Sequence, residues 1–461
     1  MKRLVFYLIA CYLLLPGLSA CNKNDAPFTP TDSIGKVNKW VLDSMKRYYY
    51  WTDEIPPHPD YRLSPPEFFR SLLSGSDRFS WISDERTALP PTSTYFRYGF
   101  HYAFISIPGF TDGLVGVCTF VNKGSAAEAA GLQRGSCFIK VDGGAVTLEN
   151  MAAVNLRMNG HAAGPLRITR AEWANGVLTP GAERSLNDGF GTEDAVMFNR
   201  IFTQNGKVTG YLYYSTFNEA YDSRLLTAFA KLRRARVTEL ILDLRYNAGG
   251  SVASSAKLAA LIAADLNPGD NYAIYAGNRN MGKAPRTLQA VLNTSGSPAG
   301  KDYNQLKDAQ LSLQRIFVLT TRGTVSAAEL VINNLKPYVQ VIQIGEATMG
   351  KDEAAFMMQQ RPWQIQPTVY KLFNAGNEGN YSKGLVPQHQ VQALASLPLG
   401  ALGTAEEPLT AAALRIIYGQ DLPGPPVQLR RAPVELIYDA AADQARHALP
   451  VIIHSSEPEP L

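Results

Sequence analysis

Leu240-Ile241-Leu242-Asp243-Leu244-Arg245-Tyr246-Asn247-Ala248-Gly249-Gly250 is the stretch from which the fold is read. Three consecutive apolar residues without polar alternation mark a strand buried on both faces. Two glycines close it, and an alanine-rich run through Ile262 follows with helical character. The same alternation repeats on either side. Residues 210–217 read as a strand, and Leu225, Leu226, Phe229 and Leu232 mark one face of a helix. Further on, residues 316–319 are strand-like, Arg322-Gly323 turns the chain, residues 327–335 are helical and 339–344 return to strand. Successive strand-helix-strand units predict an α/β core with a largely parallel sheet and right-handed crossovers. Such sheets carry their chemistry at the carboxyl ends of the strands.

The core needs only part of the chain. With 461 residues, 46% of them apolar and 18% charged, two or three packed units are expected. Residues 37–97 are aromatic and helix-like; aromatics at this spacing are read as core rather than as a ligand cage. Residues 98–175 shorten to strands and tight turns. There the run Gly124-Ser125-Ala126-Ala127-Glu128-Ala129-Ala130-Gly131-Leu132-Gln133-Arg134-Gly135, followed by Phe138-Ile139-Lys140-Val141-Asp142-Gly143, resembles the middle of a PDZ domain. That resemblance implies a peptide added as an extra strand, its carboxylate received near Gly99 and Phe100 in Tyr98-Gly99-Phe100-His101, although the usual second glycine is missing. The α/β core is expected over 190–420. Residues 421–461, Pro-rich and then loosely helical, form an extension to which no function is assigned.

At the other end, Lys2 and Arg3, the apolar run 5–15, Pro16 and Leu18-Ser19-Ala20-Cys21 read as an export signal, too short to span a bilayer as a stable helix. The last four residues resemble the bacterial lipobox, which implies cleavage before Cys21 and a lipid on its thiol and new amine. The expectation is a body tethered in the cell envelope, periplasm or outer membrane, by Cys21 and a spacer over 22–36. Cys118 and Cys137 then remain, either paired in an oxidising compartment or, the preferred reading, as buried thiols. The net charge of +4 is scattered rather than gathered into a stripe, which argues against nucleic acid. No metal-ligand spacing appears and no cofactor is implied.

Three segments carry chemistry. Ser326 stands between a glycine turn and a helix opening Ala327-Ala328-Glu329, where free N–H groups favour an anion forming beside the hydroxyl. Serine followed three residues later by glutamate is also the capping-box pattern. Lys351 follows Gly350 after one helix and one strand, so a crossover returns it to the same sheet edge. It serves as a base only if burial lowers its pKa from about 10.4 toward neutrality; Met349, Ala354, Ala355 and Phe356 are the apolar neighbours at hand. At residues 243–250 the glycines expose backbone N–H groups for an oxyanion hole, worth about 3 to 4 kcal/mol per donor. His389 stays a weaker candidate base for a serine-histidine arrangement.

Together the Asp-Leu-Arg-x-Asn-x-Gly-Gly stretch, the Ser-Ala-x-Glu helix start at Ser326 and Gly350-Lys351, with lysine 25 residues after serine, resemble the carboxyl-terminal processing (tail-specific) peptidases. So does Gly384-Leu385-Val386-Pro387. The resemblance covers residues 37–415 and implies a crotonase/Clp-like core with an inserted PDZ-like domain and a small N-terminal helical domain. It implies a serine-type endopeptidase with Ser326 as nucleophile and Lys351 as base. Glu329 would shape the local geometry, and Gly249 or Gly250 with Ala327 would form the oxyanion hole. The partner is a peptide or protein with an exposed C-terminus; oligomeric state is not implied. One departure stands out: many members place a glutamine four residues after the lysine, where this chain has Ala355, leaving Gln359 or Gln360 to orient Lys351 or activity reduced. Ala355 and the Gly99 loop also keep open a catalytically weak or inactive peptide-binding lipoprotein. An acyl-CoA enzyme of the crotonase kind is disfavoured by the export signal.

Overall fold

The computed structural model describes residues 33–86, 95–159, 164–174, 177–189, 191–192, 195–419, 432–446 and 451–452. The export signal and the lipobox cysteine Cys21 lie outside them. Among the described residues no helix is long and apolar enough to cross a membrane.

The core is a six-stranded sheet in the order Val196–Gln204, Lys207–Tyr214, Glu239–Asp243, Arg315–Thr320, Gln340–Gly345, His389–Gln390. The first pair is antiparallel and every later pair parallel. Glu239–Asp243 is buried on both faces, as its apolar run requires. Leu240 and Leu242 join the cluster around the helices Val252–Ile262 and Ala327–Leu335, while Ile241 packs with Leu409 and Leu414 of the helix Pro408–Tyr418. Each fully buried leucine or isoleucine of this kind is worth about 1.5–3 kcal/mol relative to exposure. Adjacent positions of the strands ending at Asp243, Thr320 and Gly345 place the three candidate loops side by side at one sheet edge.

A second sheet holds the β-rich unit, in the order Glu435–Asp439, Phe100–Ser106, Val115–Val121, Cys137–Val141, Leu166–Ala174, Val177–Leu186. It extends past the expected boundary at 175 to Leu186. It also takes in a strand from the region expected to be a separate extension, because the ribbon Leu166–Ala174/Val177–Leu186 and the returning chain complete its two sides. Cys118 and Cys137 are buried there as free thiols, and burial pushes the Cys137 thiol up to about 12.

In the N-terminal unit the helix Ser33–Tyr48 takes in four residues before the expected boundary at 37, and with Pro65–Ser71 it packs around Val41, Met45, Phe68 and Phe69. It is sewn to the core. Trp81–Asp84 pairs antiparallel with Trp363–Gln366, Tyr50 N donates to Thr368 O at 2.9 Å, and Asn278 Nδ2 donates to Tyr49 O at 2.8 Å.

Candidate active site

Ser326 ends the turn that follows Arg315–Thr320 and precedes the first helical residue, Ala327. Its backbone sits at φ 63° and ψ −117°, a region that costs a non-glycine residue about 1–3 kcal/mol and persists only where the surroundings hold it. Glu329 does the holding. Its Oε2 accepts from Ser326 N at 2.9 Å and from Lys351 N at 2.8 Å, so one buried oxygen binds both backbones. Its Oε1 accepts from Gly350 N at 2.6 Å and from the Thr348 hydroxyl. The backbone half of the capping box is therefore made, but the Ser326 hydroxyl is not spent on it: Oγ is buried with no hydrogen-bond partner.

Lys351 is fully buried. Its Nζ lies 4.4 Å from the centre of the Phe79 ring, and the neighbouring Arg78 guanidinium donates to Gly350 O. Burial lowers the amine to about 7, outweighing Glu353 and Glu329, whose negative charges act the other way. Of the lysine's own apolar neighbours Ala354, Ala355 and Phe356 are buried, Phe356 edge-on against Tyr48 at 5.1 Å, and a further cover, the Phe79 ring, arrives from the N-terminal unit. Neither glutamine offered as a substitute orienter serves. Gln359 and Gln360 are exposed, and Gln359 Nε2 donates to Glu85 Oε2 at 2.6 Å. Ala355 is buried in the strand Glu353–Ala355. The backbone bonds to Glu329 hold the lysine's position instead.

Residues 247–250 lie against the serine. A Cβ built on Gly249 would stand 2.6 Å from Ser326 Cβ, which accounts for glycine there, and Val325 N donates to Asn247 O at 2.9 Å. Gly249 N–H is turned inward to Asn247 Oδ1 at 2.9 Å, which removes it from the expected oxyanion donors. Gly250 bridges Phe217 through its neighbours' bonds, Phe217 N to Gly249 O and Ser251 N to Phe217 O, leaving its own N–H out of that ladder. Ala327 N–H is the first of its helix and has no intrahelical acceptor.

Asp243 and Arg245 of the same motif are structural. Arg245 is fully buried, its Nε 2.9 Å from Asp243 Oδ2 and its Nη1 2.6 Å from Glu407 Oε1, which clamps the strand end to the helix Pro408–Tyr418. Gly384 packs on the lysine loop, where a Cβ would meet Thr348 O at 2.2 Å; Leu385 N donates to Thr348 Oγ1 at 2.7 Å. His389 is exposed on an edge strand, whereas Ser326 is fully buried. In the β-rich unit Phe100 is buried against Phe138 and Tyr102, and Gly99 is pressed on Ser125. The expected peptide-contact pair thus presents no side chain outward. Phe79, Arg78, Thr348 and Asn247 have no role assigned from sequence; the signals present were the aromatic density near Phe79 and the Asn of the Asp-Leu-Arg-x-Asn-x-Gly-Gly stretch.

Residues 208–391 match the model of peptidase family S41, and residues 36–81, which include Arg78 and Phe79, match that of the peptidase S41 N-terminal domain. The chain is 26% identical over 244 residues to a chloroplastic C-terminal processing peptidase of Tetradesmus obliquus, covering 50% of this chain and 46% of that one. It is 23% identical over 383 residues to the carboxy-terminal processing protease CtpA of Bacillus subtilis, covering 82% and 73%. A crystal structure from Bacteroides fragilis assigned to the S41 proteases superposes with a TM-score of 0.69 at 26% identity, covering 85% of this chain and 98% of that one. The chain thus carries a peptidase S41 domain and an S41 N-terminal domain on a mixed α/β fold of several sheets, the domains of the C-terminal processing peptidases, which are serine-type hydrolases.

Proposed function

We propose that the chain is an endopeptidase acting on peptides or unfolded protein tails in the cell envelope through a Ser326/Lys351 dyad. The neutral Lys351 amine takes the proton of Ser326 Oγ as it attacks the peptide carbonyl, and the Gly250 and Ala327 amides receive the oxyanion. The lysine ammonium then protonates the departing amine. Water, deprotonated by the same amine, hydrolyses the acyl-serine and restores the hydroxyl. Glu329 acts as a positioning residue. The β-rich unit serves as a PDZ-like domain that adds an extended peptide to its sheet, and Cys21 carries the lipid that tethers the mature chain.

The observation that carries this reading is the buried amine at about 7 whose backbone shares Glu329 Oε2 with that of a strained, unbonded serine. Incubating the mature protein with unstructured peptides at pH 8 to 9, beside Ser326→Ala and Lys351→Ala, tests it. Cleavage by the parent alone is expected; cleavage by none leaves an envelope peptide binder. Membrane fractionation of a Cys21→Ala variant, expected to release the chain, tests the tether.

A further inference from the structure

The chain returns to the β-rich unit after its core is complete. Glu435–Asp439 pairs antiparallel with Phe100–Ser106, Glu435 opposite Ser106 and Asp439 opposite Ala103, and forms the edge of that sheet. The Tyr438 ring stands 6.1 Å from Tyr102 and 6.0 Å from Phe104. Ile437 and Tyr438 pack on the same apolar cluster as Met151 and Val154 of the helix Met151–Met158. A segment lying along one strand's edge beside a helix is the geometry of strand addition. Here the added strand is the chain's own.

From there the segment runs toward the dyad. Asp439 Oδ1 accepts from Ala441 N at 2.9 Å at the start of the helix Ala440–Arg446. Ala441 is buried with Tyr246, and a Cβ on Gly323 would lie 3.5 Å from the Ala441 Cβ. Tyr246 opens the oxyanion turn and Gly323 belongs to the turn that ends in Ser326. Val451–Ile452 then pairs parallel with Glu353–Ala355, Val451 opposite Ala354 and Ile452 opposite Ala355, just beyond Lys351. One stretch of chain thus touches, in order, the β-unit's edge, both turns beside the serine and the strand that follows the base.

We infer that residues 435–446 and 451–452 form a tethered peptide ligand that occupies the path of the substrate and must be displaced before another peptide reaches Ser326. The inference rests on the peptidase reading and assigns that site a built-in competitor. The segment is suited to leave. Its strand is bonded on one side only, Leu436 is 43% exposed, and Ile437 and Tyr438 are only partly buried. Departure opens the edge of Phe100–Ser106, a ready template for an incoming extended peptide. Tethering gives the tail an effective concentration on the order of millimolar, so weak contacts suffice to keep it docked. A tail docked nine-tenths of the time weakens the apparent affinity of a competing peptide about tenfold.

The test compares the full mature chain with one ending at Pro433, both carrying Ser326→Ala, by fluorescence anisotropy of a labelled unstructured peptide. Truncation is expected to tighten binding about tenfold, and a synthetic peptide of residues 434–452 added in trans is expected to reverse the gain. Equal affinities in two folded proteins overturn the inference. Should truncation abolish cooperative unfolding, Tyr438→Ala in the full chain replaces it: severalfold tighter binding supports the inference, and unchanged or weaker binding overturns it. Hydrolysis by the Ser326-containing forms is followed separately. Tighter peptide binding without cleavage in any form sinks the peptidase reading and leaves the tethered ligand; cleavage without any change in binding does the reverse.

Discussion

Lys257 and Lys351 are both withdrawn from solvent, 1% and 0% exposed, and they are held in opposite ways. Lys257 Nζ donates to Asp222 Oδ2 at 2.6 Å and to Ser295 Oγ at 2.7 Å. Lys351 Nζ faces the Phe79 ring, and the three carboxylates whose charge reaches it, Glu353, Glu329 and Asp77, also serve other donors, Asp77 accepting from Phe79 N at 2.9 Å and Ser80 Oγ at 2.5 Å. Glu329 serves four donors around the serine and lysine loops. Glu353 accepts from Lys371 Nζ at 2.6 Å and Thr368 Oγ1 at 3.0 Å. The difference teaches that burial alone does not make a lysine a base. Under the proposed mechanism it is burial beside an aromatic face, with the neighbouring carboxylates engaged by other donors, that fits Lys351 for the task.

Breaking that contrast is straightforward. Under the proposed mechanism Lys351→Met abolishes hydrolysis, with a loss in kcat of about 10⁴-fold or more, while Tm at pH 7 does not fall, because an amine that is costly to charge has been replaced by an apolar chain. Lys257→Met is expected to do the converse. It strands Asp222 and lowers stability by about 3–5 kcal/mol in urea titrations, with kcat of the folded fraction intact. Equal losses of Tm in the two variants would erase the distinction.

Glu329→Gln sharpens it. An amide presents donors to backbone N–H groups that need acceptors, each left unsatisfied at about 1–3 kcal/mol. Loss of register between the serine and lysine loops is expected to lower kcat about 100-fold. A purely structural role would lower Tm and leave the pH midpoint of kcat/KM in place; a positioning role moves it.

The pH dependence follows from the neutral amine as base: kcat/KM rises as pH increases through about 7 and then levels. Stability carries the same signature with its sign fixed by linkage. Between about 7 and 10.4 the unfolded chain binds a proton that the folded Lys351 does not, so stability rises with pH across that window, a slope Lys351→Met lacks. Phe79→Leu, the mildest change, thins the cover over the amine. It is expected to move the kinetic midpoint upward and lower the rate at pH 7 about threefold to tenfold. An unmoved midpoint would detach the N-terminal unit from the base.

Much of this was legible in the residues. The unalternating run at 240–242, the glycines at 249 and 250, and Ser326 with Lys351 one crossover later are local patterns whose consequences are nearly context-free. A strand apolar on both sides is buried on both sides, and consecutive parallel strands bring their carboxyl ends together. The parallel sheet and the carboxyl edge that holds the candidate loops follow from those patterns, whereas burial of Lys351 is only a condition on its role as base, and the fold meets it. Of the two glycines, Gly249 has its N–H captured by Asn247 two residues earlier, because a glycine permits either direction of that bond. Gln359 and Gln360 are near Lys351 in sequence yet exposed in the fold, on the strand Met358–Gln360.

Chain order and side-chain periodicity were enough for the layers of the core and for the sheet edge at which the three candidate loops gather, since those depend on neighbours a few positions away; the candidate residues on those loops were named by motifs that resemble the C-terminal processing peptidases. Which ring covers the amine, which carboxylate ties the two loops together and where the last residues dock are contacts between segments separated by tens to hundreds of positions. Phe79 lies 272 residues before Lys351, and Glu435–Asp439 comes back to a strand begun at Phe100. Contacts of that span depend on shape and solvent exclusion in the folded chain, and no local pattern encodes them.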